Sequence, residues 1–210
     1  KGETRMNGKI ICIGRQYGSG GREIGEKLAE KLGVLCYDKL LIQQAARESG
    51  MAVSAISADD ELPIGLSSMV SGNPFADSVA MSEAFYSVRQ NVYQAERKAI
   101  LDIAANGSCV IIGRCASEIL RSSGIEALSI FIYADRDDRI HRIVARNGCS
   151  EKIAIRKMQK IDRMRKQYFD FYADTAWGEP ESYDLMLSAS RYGIDGAASV
   201  ILQAAEMEKA

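Results

Sequence analysis

Gly14, Arg15, Gln16, Tyr17, Gly18, Ser19, Gly20, Gly21, Arg22 and Glu23 form a glycine-rich run between an apolar, β-branched stretch at 10–13 and a segment in which Ile24, Leu28 and Leu32 recur every fourth residue. A strand that turns through glycines into a helix aims its backbone amides and the helix N-terminus at one point, and that point attracts an anion such as phosphate. Against the pattern G-x-x-x-x-G-K-[ST], Gly20 fills the second glycine, Arg15 stands at the first, Gly21 at the lysine and Arg22 at the hydroxyl position. The charge that the lysine would bring to the β and γ phosphates must then come from Arg22 or Arg15. Arg22, one residue further on, leaves the helix about 100° away from position 21. The predicted phosphate-binding set is therefore Arg15, Gly18, Ser19, Gly20, Gly21, Arg22 and Glu23. A glycine-rich turn without a ligand is the plainer alternative.

A second concentration of chemistry lies between 136 and 165, where Arg136, Arg139, Arg142, Arg146, Arg156, Arg163 and Arg165 occur. Phosphoryl transfer is mostly positioning and charge neutralisation, so arginines gathered around a phosphate suit it. The alternative is that they decorate solvated helix faces, paired with Asp137, Asp138, Glu151 and Asp162. Arg114 follows a buried strand directly, where parallel sheets bind ligands. Asp38, also after an apolar run, suits either magnesium or acceptor contact, or the N-cap of the next helix. His141 has no nucleophile placed for it and reads as a surface or packing residue. Tyr168, Phe169, Phe171, Tyr172 and Trp177 read as packing rather than as base-stacking partners.

The elements that must position these residues follow from periodicity. Strands are predicted at 10–13, 34–37, 109–112, 127–133 and 183–187; helices at 23–32, from Asp38 through Ala46, at 82–105, at 136–147, at about 150–172 and from near Ile194. The stretch 51–77, rich in serine with Pro63, Pro74, Gly65 and Gly72, reads as a short helix near 53–59 and a mobile loop. Alternating strands and helices make this an α/β chain with a mostly parallel five-stranded sheet, and 210 residues suit one core. Hydrophobic residues at 47% and charged residues at 26% are ordinary soluble usage, and no run approaches the roughly 18 apolar residues of a membrane span. A net charge of −1 carries no basic excess for nucleic acid. Residues 1–9 hold no apolar stretch resembling a signal peptide, and Cys12, Cys36, Cys109, Cys115 and Cys149 form no C-x-x-C pair, so buried reduced thiols in a cytoplasmic protein are expected.

The run from Ile13 to Ile24, with Leu32-Gly33 and Tyr37-Asp38-Lys39, resembles the opening of the cytidylate-kinase-like family within the P-loop nucleoside-monophosphate kinases. Gly113-Arg114, Asp162-x-x-Arg165, Trp177-Gly178-Glu179-Pro180 and Tyr183-Asp184-Leu185 carry the resemblance onward, so it covers nearly the whole chain apart from 51–77. The resemblance implies a three-layer P-loop NTPase fold over 1–210. It also implies a helical nucleoside-monophosphate-binding insertion at about 39–105 and lid-like helices at about 136–175. It implies an ATP-dependent phosphotransferase that works with Mg²⁺ held through the phosphates, with CMP or another small acceptor as the second substrate. Arg22, Arg139 and Arg165 would be catalytic, with Arg142 as an alternative to Arg139; Asp38, Arg114, Asp162 and Arg165 would hold the acceptor. The loop Ser188-Ala189-Ser190-Arg191 would lie near the donor base. Two family arginines are replaced, by Gln44 and Met158. With the loop lysine also absent, a nucleotide-binding protein of weakened catalysis, or a kinase of a non-nucleotide metabolite, are the alternatives.

Overall fold

Ile10–Arg15 (β1), Leu35–Tyr37 (β2), Cys109–Ile112 (β3), Leu128–Tyr133 (β4) and Leu185–Ser188 (β5) pair in the order β2-β3-β1-β4-β5, every pair parallel. The computed structural model describes residues 9–48 and 77–207. Strands buried on both faces need continuous apolar runs, and Ile-Ile-Cys-Ile in β1 and Cys-Val-Ile-Ile in β3 supply them. Successive side chains alternate between the faces. Ile11, Ile13, Val110, Ile112, Ile130, Ile132 and Leu187 point to one side, against helices Gly21–Leu32 (α1) and Ala189–Glu206 (α7). Ile10, Cys12, Cys109 and Ile111 point to the other, where Lys39–Glu48 (α2), Asp77–Ala105 (α3) and Ala116–Ser122 (α4) cover them. The three layers of the expected fold are thus present.

Arg136–Asn147 (α5) and Glu151–Tyr172 (α6) form a further helical pair, closed by Ile140, Ile143, Ala154 and Met158. The chain leaves β1 toward β2 and β3, and leaves β3 toward β4 and β5, so the strand order reverses at β1. Ligands of open parallel sheets bind at such a reversal, beyond the carboxyl ends of the strands.

Helix α4 has no counterpart in the sequence prediction, because seven residues are too few for periodicity to register. The last helix begins at Ala189, yet Gly193 is non-helical (φ 65, ψ −177), so regular helix starts at Ile194 as the pattern suggested. Helix α3 starts at Asp77 rather than 82. The predicted helix near 53–59 and most of the loop after it lie outside the described residues. Among the described residues no helix is long and apolar enough to cross a membrane.

Ile130 is completely buried at the middle of β4, whereas Ile153 is 53% exposed on α6. Ile130→Ala is expected to lower the unfolding free energy by about 2–5 kcal/mol in urea denaturation, and Ile153→Ala by under ~0.5 kcal/mol.

Candidate functional site

The glycine-rich turn is pinned to the sheet before it reaches α1. Gln16 donates its backbone N–H to Ile132 O at 3.0 Å, and its side-chain oxygen accepts from Ala134 N at 3.2 Å. Ser19, 1% exposed, donates its hydroxyl to Gln16 O at 2.9 Å and so closes the turn on itself. Gly20 enters α1 at φ 84, and a Cβ there would fall 2.5 Å from Ile194 Cδ1. Only glycine fits both the left-handed backbone and the contact.

Arg139 and Asp162 grip the turn from the far side. Asp162 accepts the Tyr17 N–H at 2.7 Å and pairs with the Arg139 guanidinium, while Arg139 Nε donates to Tyr17 O at 2.8 Å. Arg139 is 7% exposed. This clasp joins β1's loop to α5 and α6 through the backbone of one residue, Tyr17.

Three cavities run along the carboxyl edge of the sheet. The first, of about 190 Å³, is floored by Cys12, Gly14 and Gly113, and walled by Ile161, Met164, Tyr168, Phe169, Trp177 and Tyr183. Arg15, Lys39, Arg114 and Arg165 stand around it. The second, of about 230 Å³, lies under the turn among Gly18, Gly20, Gly21, Arg22, Glu23, Asp38, Arg142 and Arg146, and shares Arg15, Lys39 and Arg165 with the first. The third lies across the turn between α5 and α7, lined by Gly18, Ser19, His141, Arg142, Ala189 and Ser190. Of the predicted residues, Arg15, Gly18, Gly20, Gly21, Arg22, Glu23, Asp38 and Arg165 therefore share one cavity. Arg114 joins Arg15 and Arg165 in the next, and Ser19 faces the third. Arg139 and Asp162 line none of the three; they hold the turn at Tyr17. Tyr168, Phe169 and Trp177, expected only to pack, wall the first cavity, whereas Tyr172 stacks on Tyr93 with ring centroids 3.8 Å apart. Cys12 and Cys115 also line the first cavity, but burial pushes both thiols far above their ordinary pKa, so neither offers a thiolate at neutral pH.

The cations are held by acids of different kinds. Arg22 lies 2.8 Å from Glu26 and 3.1 Å from Asp38, half exposed. Asp38 accepts the backbone N–H groups of Leu40 and Leu41 at 3.0 and 3.2 Å, so it caps α2 as well as facing the cavity. Arg142 donates to Glu23 at 2.9 Å. Arg165 donates to Arg15 O at 3.0 Å and lies 5.6 Å from the Tyr17 ring centroid.

Arg114 depends on a residue that the sequence analysis did not single out. Glu96 on α3 is completely buried; its carboxylate accepts from the Tyr168 hydroxyl at 2.9 Å and the Gln43 amide at 3.4 Å, and lies 3.5 Å from Arg114 Nε. Arg114 also sits 5.5 Å from the Tyr168 ring centroid. Gly113, Arg114 and Cys115 are all left-handed, at φ 79, 58 and 54. Two non-glycine residues in that region are strained, and the Glu96 pairing is one of the contacts that hold them. The available sequence signal was a carboxylate inside the apolar stripe Val92, Ala95, Ala99, Ile103. Met158 is core between α5 and α6, and Gln44 is exposed on α2, so neither reaches the cavities. Among the described residues no three His, Cys, Asp or Glu side chains gather as a metal site.

The family model of the cytidylate kinase-like family matches residues 10–191. A cytidylate kinase from Methanocaldococcus jannaschii is 22% identical over 198 residues, spanning 93% of this chain and 96% of its own. One from Methanococcus aeolicus is 25% identical over 195 residues, spanning 91% and 94%. Among solved structures, a protein from Eubacterium ventriosum is 29% identical with a TM-score of 0.72, covering 95% of this chain and 99% of that one. A shikimate kinase from Bacteroides thetaiotaomicron, 14% identical with a TM-score of 0.51 and covering 95% and 99%, shares the fold alone.

Asp162→Ala strands the buried Arg139 guanidinium and frees the Tyr17 amide. It is expected to cost about 3–5 kcal/mol in chemical denaturation, and Asp162→Asn less, because the asparagine oxygen still accepts from Tyr17.

Proposed function

The chain belongs to the cytidylate kinase-like family, and on that basis we propose that it is an ATP-dependent phosphotransferase acting on a nucleoside monophosphate of the CMP type. The observation that carries this reading is that two neighbouring cavities are lined by the same cations. An aromatic-walled cavity large enough for a base and the cavity beneath the glycine-rich turn share Arg15, Lys39 and Arg165 in their walls. A monophosphate seated in the first would direct its phosphate toward those arginines, and a triphosphate on the turn would direct its γ-phosphoryl group toward the same place. The cavity across the turn at Ala189 and Ser190 suits the donor base. In this arrangement α2 and α3, within the 39–105 insertion, form the acceptor side, and α5 and α6 act as the lid.

In the transfer an acceptor phosphate oxygen forms a bond to the γ phosphorus, the bond from that phosphorus to the β-bridging oxygen breaks, and its electron pair stays on the departing diphosphate. No protein nucleophile or general base is required when the acceptor is an ionised phosphate. The chain's own contribution is charge and position: Arg114, braced by Glu96, meets the acceptor; Arg165 and Arg22 face the phosphates; Arg139 and Asp162 keep the turn open for them. Magnesium supplies charge neutralisation to the phosphates. The donor set fits an ion carried mostly by phosphate oxygens and water, since both carboxylates of that cavity are engaged, Asp38 in capping α2 and pairing with Arg22 and Glu23 in pairing with Arg142. The cytoplasm, where ATP and nucleoside monophosphates are available, is the compartment this reading expects.

Coupled ADP release measured with CMP, dCMP, UMP and AMP tests the proposal, with turnover expected for at least one. Calorimetric binding of an ATP analogue with no turnover on any acceptor would replace it with a nucleotide-binding role. Turnover only on non-nucleotide acceptors would replace the substrate class, toward which the absence of arginines at 44 and 158 points. Arg114→Ala is expected to raise the acceptor KM roughly 10- to 100-fold and leave the ATP KM within about 3-fold, consistent with ~1.5–3 kcal/mol for a charged hydrogen bond.

A further inference from the structure

Position 21 has no room for a side chain. A Cβ on Gly21 would fall 2.7 Å from Arg15 Cβ and 3.1 Å from its Cγ, closer than such atoms approach. The stem of Arg15 fills that space and runs on to Gly113, where a Cβ would fall 2.9 Å from the Arg15 guanidinium carbon. Arg15 is thus threaded between two glycines, one opening α1 and the other following β3. Arg15 lines both the aromatic-walled cavity and the cavity under the turn, and its guanidinium lies against Gly113.

Unlike its neighbours, this guanidinium has no ion pair or hydrogen bond to any side chain among the described residues. Arg22 is engaged by Glu26 and Asp38, Arg142 by Glu23, and Arg139 by Asp162. Burial, then Arg165 and Arg114, hold the Arg15 pKa well below the ordinary guanidinium value, with Asp38 opposing them. Since arginine nonetheless stays protonated, the result is a cation short of counter-charge at the junction of the two cavities.

We propose that Arg15 and Gly21 are a reciprocal exchange of the glycine and lysine of the phosphate-loop pattern, with Arg15 as the catalytic cation that contacts the phosphoryl group in passage. In that pattern position 15 is glycine and position 21 lysine; here the long cation rises from the strand and the glycine lies on the helix. The close approach of the two Cβ positions explains why both sites do not carry side chains together. The same geometry sets Arg22 aside as the substitute, because it is half exposed and already shared by two carboxylates.

The inference rests on the phosphotransferase reading, so the test has a readout free of turnover. Calorimetry with inorganic tripolyphosphate is run beside steady-state kinetics with ATP and the best acceptor, for the wild type, Arg15→Gln, Arg15→Met, Arg22→Ala, Arg15→Gly and Arg15→Gly with Gly21→Lys. Thermal melting identifies which neutral Arg15 variant folds, and that variant decides. Expected are a fall in kcat of about 10²- to 10³-fold, the scale for loss of one transition-state donor, and a tripolyphosphate affinity weakened at least ~10-fold, a single charged contact's worth. Arg22→Ala is expected to lower kcat by less than the neutral Arg15 variant does, and the double variant to regain at least ~10-fold over Arg15→Gly. A folded neutral Arg15 variant with wild-type kcat and tripolyphosphate affinity overturns the proposal, as does a double variant no better than Arg15→Gly. If the wild type turns over no acceptor but its tripolyphosphate binding depends on Arg15, the phosphotransferase reading falls while Arg15 stands as the phosphate ligand; a wild type that binds no tripolyphosphate overturns both.

Discussion

Like charges crowded at the carboxyl end of β1 govern this structure. Arg15, Arg22, Arg114, Arg142, Arg165 and Lys39 line two neighbouring cavities that share Arg15, Lys39 and Arg165. Guanidinium groups repel in a partly desolvated cleft, and the repulsion is not relieved by solvent alone. The sheet, the turn and the acids around it hold that charge in place.

The acids divide the work. Asp162 is spent on Arg139 and the Tyr17 peptide, so it shapes the turn. Glu96, at the bottom of α3, gathers α2, α6 and the strained end of β3 onto one carboxylate. Because the pair is buried, removing one partner costs more than the contact itself is worth, which makes such a carboxylate a determinant of geometry rather than of net stability. Glu23 and Arg142 are both partly exposed, and Arg22 is half exposed beside a mostly buried Asp38, so solvent weakens these two pairs. Those pairs are therefore the weaker ones, and the buried pairs form the scaffold.

The layered fold was legible because buried parallel strands announce themselves as unbroken Ile, Val and Cys runs, and because glycine marks the turn after β1. Arg114 was legible from its place after such a strand. Helix α4 was too short to show a period, and Glu96 looked like one more charge on a long helix. Tyr168, Phe169 and Trp177 could not be separated from packing aromatics, since cavity walls and cores use the same residue types. Arg139, matched to a phosphate contact by resemblance, instead meets the backbone of Tyr17.

By itself the sequence determined the order of the strands and the longer helices, the glycine-rich turn and the supply of arginines, all of which are local in the chain and readable from spacing. Only the tertiary structure decided which arginine is held by which acid, and that Arg15 and Gly21 occupy one space. Those outcomes depend on contacts between residues from 6 to more than 100 positions apart, and side-chain volume and charge act through space, which spacing along a chain does not encode.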